Sequence, residues 1–295
     1  MYSRIIFTTK NTHHIVKMKK NIIFILIIFI FSSCEKQVQD GIPSYIRINS
    51  FNLITQQDEG EATTNITDAW VYIDDNIQGI YELPAHFPVL EEGQKSLKIF
   101  AGIKDNGISA SRLKYPFYKS FQTITELQKD STTNIEPIVN YFDWTEFEIE
   151  DFDESGILFE SDAASDTTFF KLVDPNDSTN NYGAVNIINP DFFFKASTKV
   201  LEDLPQAGLP VYLEMDYRCN TNFIIGVYSN YPNTVVPKNL FFANPKEEWN
   251  KIYINLTSTI SEAVGASSFK IYIEMQRPYD LEKAELYIDN FKIIY

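Results

Sequence analysis

Between Val211 and Tyr217 the side chains change character at every step. Val211, Leu213, Met215 and Tyr217 fall on one parity, Tyr212, Glu214 and Asp216 on the other. A period of two belongs to a strand that buries one face, because successive side chains point to opposite sides of the sheet. The pattern recurs in Ile252, Ile254 and Leu256 and again in Phe269, Ile271, Ile273 and Met275, with Phe223 to Tyr228 as a further strand. Apart from a short candidate helix over Thr257 to Val264, no stretch carries a helical period. Several short strands separated by turn residues predict an all-β chain built of sandwiches.

From Tyr45 to Phe142 short apolar runs again alternate with turns, which predicts a first, smaller β-sandwich over residues 45–142. Its centre is Ala69 to Ile73, the turn Asp74-Asp75-Asn76, and Ile77 to Tyr81. Asp and Asn tolerate the backbone of a tight hairpin, and Gly79 can supply a bulge or a close approach. Leu83-Pro84, Phe87-Pro88-Val89-Leu90, Glu91-Glu92-Gly93 and a strand from Ser96 to Phe100 follow. Over about forty residues this succession resembles PEGA-type and carboxypeptidase-regulatory-like repeats. That resemblance implies a structural spacer or surface module without catalysis. The aromatic group Tyr115, Phe117, Tyr118 and Phe121 is read as core filling for this sandwich in preference to a stacking platform. His86, between Pro84 and Pro88, is read as a surface residue, since one histidine cannot build a zinc site.

A boundary is expected between Asn140 and Thr145, with the second module spanning residues 145–295. It opens with six carboxylates between Glu146 and Glu154, interleaved with Phe147, Ile149 and Phe152, and it closes with the run Leu286 to Tyr295. Together these look like the first and last strands of a galactose-binding-like jelly roll, the architecture of many carbohydrate-binding modules. The resemblance implies a tryptophan, here Trp249, packed in the core just before a strand. It also implies a structural calcium held by Glu148 or Asp151 together with Asp289, although Ca²⁺ needs six to eight oxygens. Tyr212, Tyr253, Tyr272 and Tyr287 each sit between aliphatic residues, opposite the core parity. On a single sheet they would form a stripe able to stack on sugar rings; tyrosine's strand preference is the competing explanation. Asp174 to Ser178 imitates a calcium loop, but Thr179 and Val185 stand where an EF-hand requires glycine and glutamate, so a solvated turn is expected.

At the other end, Ile22 to Phe31 is an apolar core about half the ~20 residues of a membrane span. It follows Met18-Lys19-Lys20 and leads into Ser32-Ser33-Cys34, so it reads as a signal peptide over residues 1–33 with its true start at Met18. Phe31 to Cys34 resembles the lipobox of bacterial lipoproteins, with Phe31 in place of the usual leucine and Ser33 in place of glycine or alanine. The resemblance implies an acylated Cys34, a tether over residues 34–44, and anchoring to the outer membrane, on its periplasmic or surface side. Each buried CH₂ of such a lipid contributes about 0.8 kcal/mol.

The leader contains Arg4, Lys10, Lys17, Lys19 and Lys20 and no acid. Removing these five from the 25 basic residues leaves 20 against 40 acidic, a mature net charge of −20. A chain this acidic repels phosphate backbones, which argues against nucleic acid as a partner. With Cys34 acylated, Cys219 has no disulfide partner, and stability must come from burial, for which a hydrophobic content of 44% is ample.

No nucleophile elbow, metalloprotease motif or phosphate-binding glycine loop is present in the sequence. The leading expectation is therefore a non-enzymatic, lipid-anchored envelope protein whose second module binds glycan. The alternatives are an assembly component of an envelope complex and, behind it, a hydrolase working through paired carboxylates.

Overall fold

A computed structural model of the chain describes residues 41–295, so the leader and Cys34 lie outside the described residues. The first ten strands are β1 Ser44–Ile48, β2 Asn52–Leu53, β3 Asp68–Ile73, β4 Asn76–Glu82, β5 Ala85–Val89, β6 Gly93–Lys104, β7 Arg112–Lys114, β8 Phe121–Leu127, β9 Thr132–Ile135 and β10 Ile138–Val139. Eleven more follow: β11 Phe147–Glu150, β12 Glu160–Ser161, β13 Phe170–Val173, β14 Asn181–Ile188, β15 Phe193–Ser197, β16 Tyr212–Cys219, β17 Phe223–Tyr231, β18 Thr234–Ala243, β19 Lys246–Asn255, β20 Ser268–Gln276 and β21 Lys283–Ile294. One helix, α1 Thr257–Glu262, lies between β19 and β20. The described residues are nearly all β, and no helix among them is long and apolar enough to cross a membrane.

In the first sandwich, a sheet ordered β4-β3-β6-β7, with β8 also paired to β6, shares a core with β5-β1-β9 and β10-β2. The β3–β4 hairpin turns at Asp74 and Asp75, both at positive φ, as a two-residue hairpin demands. Gly79 does both things expected of it. The register shifts beside it, and the Tyr81 ring lies so close that a Cβ would meet Cζ at 2.7 Å. Pro88 is tolerated because β5 is an edge strand.

The second sandwich packs a sheet ordered β13-β14-β21-β16-β19 against one ordered β12-β15-β20-β17-β18. Strand β11 joins the far end of β21, in register Phe147↔Ile294, so the opening and closing strands of this module are neighbours. Asn290, at positive φ, forms a bulge in β21 opposite Met215. The extra residue keeps Asp289 and Lys292 on the same side of the sheet; without it Lys292 would turn into the apolar core.

The two cores are distinct, yet residues 43–295 form one compact unit. Tyr212, Tyr253 and Ile294, all on second-sandwich strands, belong to the first sandwich's core. The aromatic group of the first module is what receives them. Tyr115 meets Tyr212 edge-on at 5.4 Å between ring centroids and Tyr253 at 4.9 Å, and Phe117 meets Tyr212 at 6.1 Å.

Candidate functional site

The outer face of the β13-β14-β21-β16-β19 sheet is divided by what lies on it. Along β16, the residues of the Tyr212 parity pair across the sheet in rows: Ile294–Tyr212–Asn255, Lys292–Glu214–Tyr253 and Asp289–Asp216–Lys251. All three rows are largely sealed by the first sandwich and by the segment from Glu59 to Asn65. Thr63 Oγ1 donates to Asp216 at 2.6 Å, the Asn65 amide donates to Tyr253 Oη at 3.1 Å, and Lys292 Nζ donates to the Glu61 carbonyl at 2.6 Å. The next row runs Phe170–Ala184–Tyr287–Arg218 and is not sealed.

There the side chains build a platform. The Arg218 guanidinium lies 4.4 Å from the Tyr287 ring centroid, 5.4 Å from Trp249 and 5.8 Å from Tyr182. Tyr182 in turn meets Trp249 at 5.4 Å and Tyr287 at 5.8 Å, both edge-on. Trp249 keeps 38% of its surface exposed and Tyr287 is half-buried, so these two rings reach solvent, while Tyr182 is buried behind them. Beside it is a cavity of about 400 Å³ lined by Arg218, Asn220, Lys246, Glu247, Glu285 and Tyr287, among others. The Tyr287 hydroxyl donates to Glu285 at 2.8 Å; burial, reinforced by that carboxylate, pushes the phenol up to about 12. Burial also works to raise Glu285, but hydrogen bonds from Lys283 and Tyr287 outweigh it and hold the carboxyl below the ordinary glutamate range.

This geometry corrects the tyrosine stripe. Tyr212 and Tyr253 share the sheet with Tyr287 but are sealed beneath the first sandwich, and Tyr272 lies on the other sheet. Tyr272 is buried across Gly226, where a Cβ would come within 2.1 Å of its ring; its hydroxyl donates to Asn239, and Lys195 Nζ sits 4.3 Å above the ring. Of the four, Tyr287 alone reaches the open face.

Trp249 is corrected in the opposite sense, since it is exposed and outside the core. Its parity within β19 matches Lys251 and Tyr253, not Ile252 and Ile254, which pack inward. The same rule assigns Arg218, which continues the series Tyr212, Glu214, Asp216.

The calcium set is not assembled either. Among the described residues no group of three or more His, Cys, Asp or Glu side chains is placed to hold a metal ion, and Glu148, Asp151 and Asp289 are no exception. Glu148 is exposed, and Asp151 accepts from the Asp153 amide at 3.1 Å. Asp289 is buried, accepting from the Asn290 amide at 2.7 Å and from Asn180 at 3.3 Å. The inward carboxylate of the opening strand is Glu150, which caps the amides of Phe152 and Leu158. The Asp174 to Thr179 stretch is an exposed turn whose carboxylates accept from their own backbone. His86 is exposed on β5, its ring nitrogen 3.3 Å from Thr132 Oγ1.

No protein-family model matches the chain, and no curated protein matches it. Among solved structures, one determined for the promiscuous specificity of carbohydrate-binding modules from the β-sandwich superfamily aligns at 12% identity and a TM-score of 0.38, covering 76% of this chain and 83% of that one. The family 30 carbohydrate-binding module of a Clostridium thermocellum cellulosomal cellulase aligns at 16% identity and a TM-score of 0.38, over 50% of this chain and 96% of that one. A xylan-binding domain of family 22 aligns at 13% and 0.37, over 51% and 95%. What each of these binds is a property of that protein.

Proposed function

We propose that the protein is a non-catalytic, lipid-anchored envelope protein that binds glycan on the open half of this sheet face. The observation that carries the reading is the Tyr182–Trp249–Tyr287 aromatic group, of which Tyr287 lines a cavity of about 400 Å³ while three rows of the same face are covered. Aromatic faces take up the apolar side of a sugar ring, and the polar groups around them fix its orientation. A general acid of a glycosidase needs a raised pKa, and Glu285 at the rim is held low, which weighs against hydrolysis there.

A glycan array probed with the purified protein is the direct test. Trp249→Ala is expected to weaken the best ligand about tenfold or more, the loss of one central aromatic contact. Tyr272→Phe, on the opposite sheet, is expected to leave affinity unchanged. Equal losses in both variants, or a silent array, would remove the reading.

The alternative of a protein partner is favoured by one feature, the long edge strand β18, which leaves Val235, Val236 and Phe242 exposed. Its binding would survive Trp249→Ala. The anchor has its own test: labelled palmitate should enter the wild-type chain and not Cys34→Ala. Equal labelling of both would discard the lipid tether and leave the platform untouched.

A further inference from the structure

We infer that Arg218 makes the platform selective for glycans that carry a carboxylate, such as uronic acid units. This deepens the glycan reading and rests on it.

Arg47 is exposed and needs no partner but water; a partly buried arginine without a partner, in a chain where acidic residues outnumber basic ones 40 to 25, calls for an explanation. Arg112 spends its guanidinium on Asp68 at 2.5 Å and Glu82 at 3.0 Å. Arg277 spends its own on the carbonyls of Asp191, Pro278 and Leu281 and on the Asn189 side chain. Arg218, among the described residues, has neither a hydrogen bond from its guanidinium nor a carboxylate within ion-pair distance. The acid that lines the same cavity, Glu285, is taken by Lys283 at 2.6 Å and by the Tyr287 hydroxyl; the Arg218 charge also helps hold its carboxyl low, but from beyond ion-pair distance. Asn220, which also lines it, donates to the Lys283 carbonyl and accepts from the Glu285 amide.

Three rings fix the orientation of this cation. Its Nε is buried without a partner, which leaves the two terminal nitrogens as the fork available to a ligand. A planar fork held among aromatic faces matches a carboxylate with two parallel hydrogen bonds, and partial removal from water strengthens each. Lys246 lines the same cavity and adds a second positive charge; Glu247 opposes it from the rim. A neutral sugar would use the rings and leave the guanidinium unpaired.

The test compares an oligogalacturonate with its methyl ester, which keeps the sugar and removes the charge, by calorimetric titration of the full-length protein. The free acid is expected to bind at least tenfold more tightly, with an affinity that falls as salt is raised while that of the ester holds. Arg218→Met, which preserves the stem between the rings, should erase the preference. Arg218→Lys should retain part of it, because the charge stays and the fork is lost. Thermal melts of each variant establish that it is folded. Equal affinity of wild type for acid and ester, or a preference that survives in folded Arg218→Met, overturns the inference while leaving glycan binding in place. Binding to no glycan of either kind removes the platform reading itself.

Discussion

Replacing Glu214 by alanine should cost the protein about 3–5 kcal/mol of unfolding free energy, the range for removing one partner of a buried charge network. Glu214 has no exposed surface. Its carboxylate accepts from Tyr115 Oη at 2.6 Å and from Tyr141 Oη at 3.1 Å, and it faces Lys251 Nζ at 3.3 Å. Lys251 keeps only Asp216, at 3.7 Å, and Thr63, at 3.0 Å, if Glu214 is lost. Alanine therefore strands two phenols that are already cut off from water and leaves the buried ammonium with a weaker ion pair, and each unsatisfied donor adds its own desolvation penalty. These phenols come from the first sandwich and the carboxylate from the second, so the loss also loosens their contact. Glu214→Gln retains an acceptor of the same size and should cost clearly less than alanine. Urea melts of the three proteins decide the matter; a loss below about 1 kcal/mol for alanine would mean that water enters this junction and takes over the bonds.

The parity of Tyr212, Glu214 and Asp216 was readable in the chain, and the structure puts these residues on the side opposite the core, as alternation requires. What covers that side was not readable. Period two assigns a residue to a face and is silent on whether another module sits on it. Tyr115 and Glu61, which close over this face, lie some hundred or more positions earlier in the chain. Tyr212 and Tyr253 thus satisfied every local criterion for exposed stacking residues and are buried. Conversely, Arg218 and Trp249 could have been placed by extending the same parity one step further along β16 and β19. The jelly-roll resemblance, which implies an inward tryptophan, runs against that local signal. The inward turn of Glu150, in place of Glu148 or Asp151, depends on backbone amides eight residues downstream, which strand periodicity does not encode.

Asp289→Asn should change stability in a way that depends on pH, with little effect near pH 4 and a gain of roughly 2–4 kcal/mol near pH 8. Burial raises the Asp289 carboxyl to about 7, with the neighbouring acids Glu61 and Asp216 adding to the rise and hydrogen bonds from the Asn290 amide and Asn180 opposing it. Asp216 lies directly across the ladder, so two carboxylates face each other under the covering segment. In the unfolded chain the same group titrates near 3.8. Between these two values the folded state holds a proton that the unfolded state has released, and stability falls as pH rises through that window. A shift of about 3 units caps the effect at about 4 kcal/mol, reached above pH 7 when the buried carboxylate must be charged. Asparagine keeps the shape, cannot ionise, and escapes the penalty. Lys292 titrates in a different window. Burial, then the nearby Lys251, lower its ammonium to about 8, so its contribution is present above about 10.5 and is lost as pH falls through 8. Comparing variant with wild type at each pH isolates Asp289 from that second titration. Unfolding free energies measured from pH 4.5 to 8.5 should therefore diverge as pH rises. A difference that stays flat would show that Asp289 is ionised in the folded protein throughout, with its charge balanced by Lys251 or Lys292.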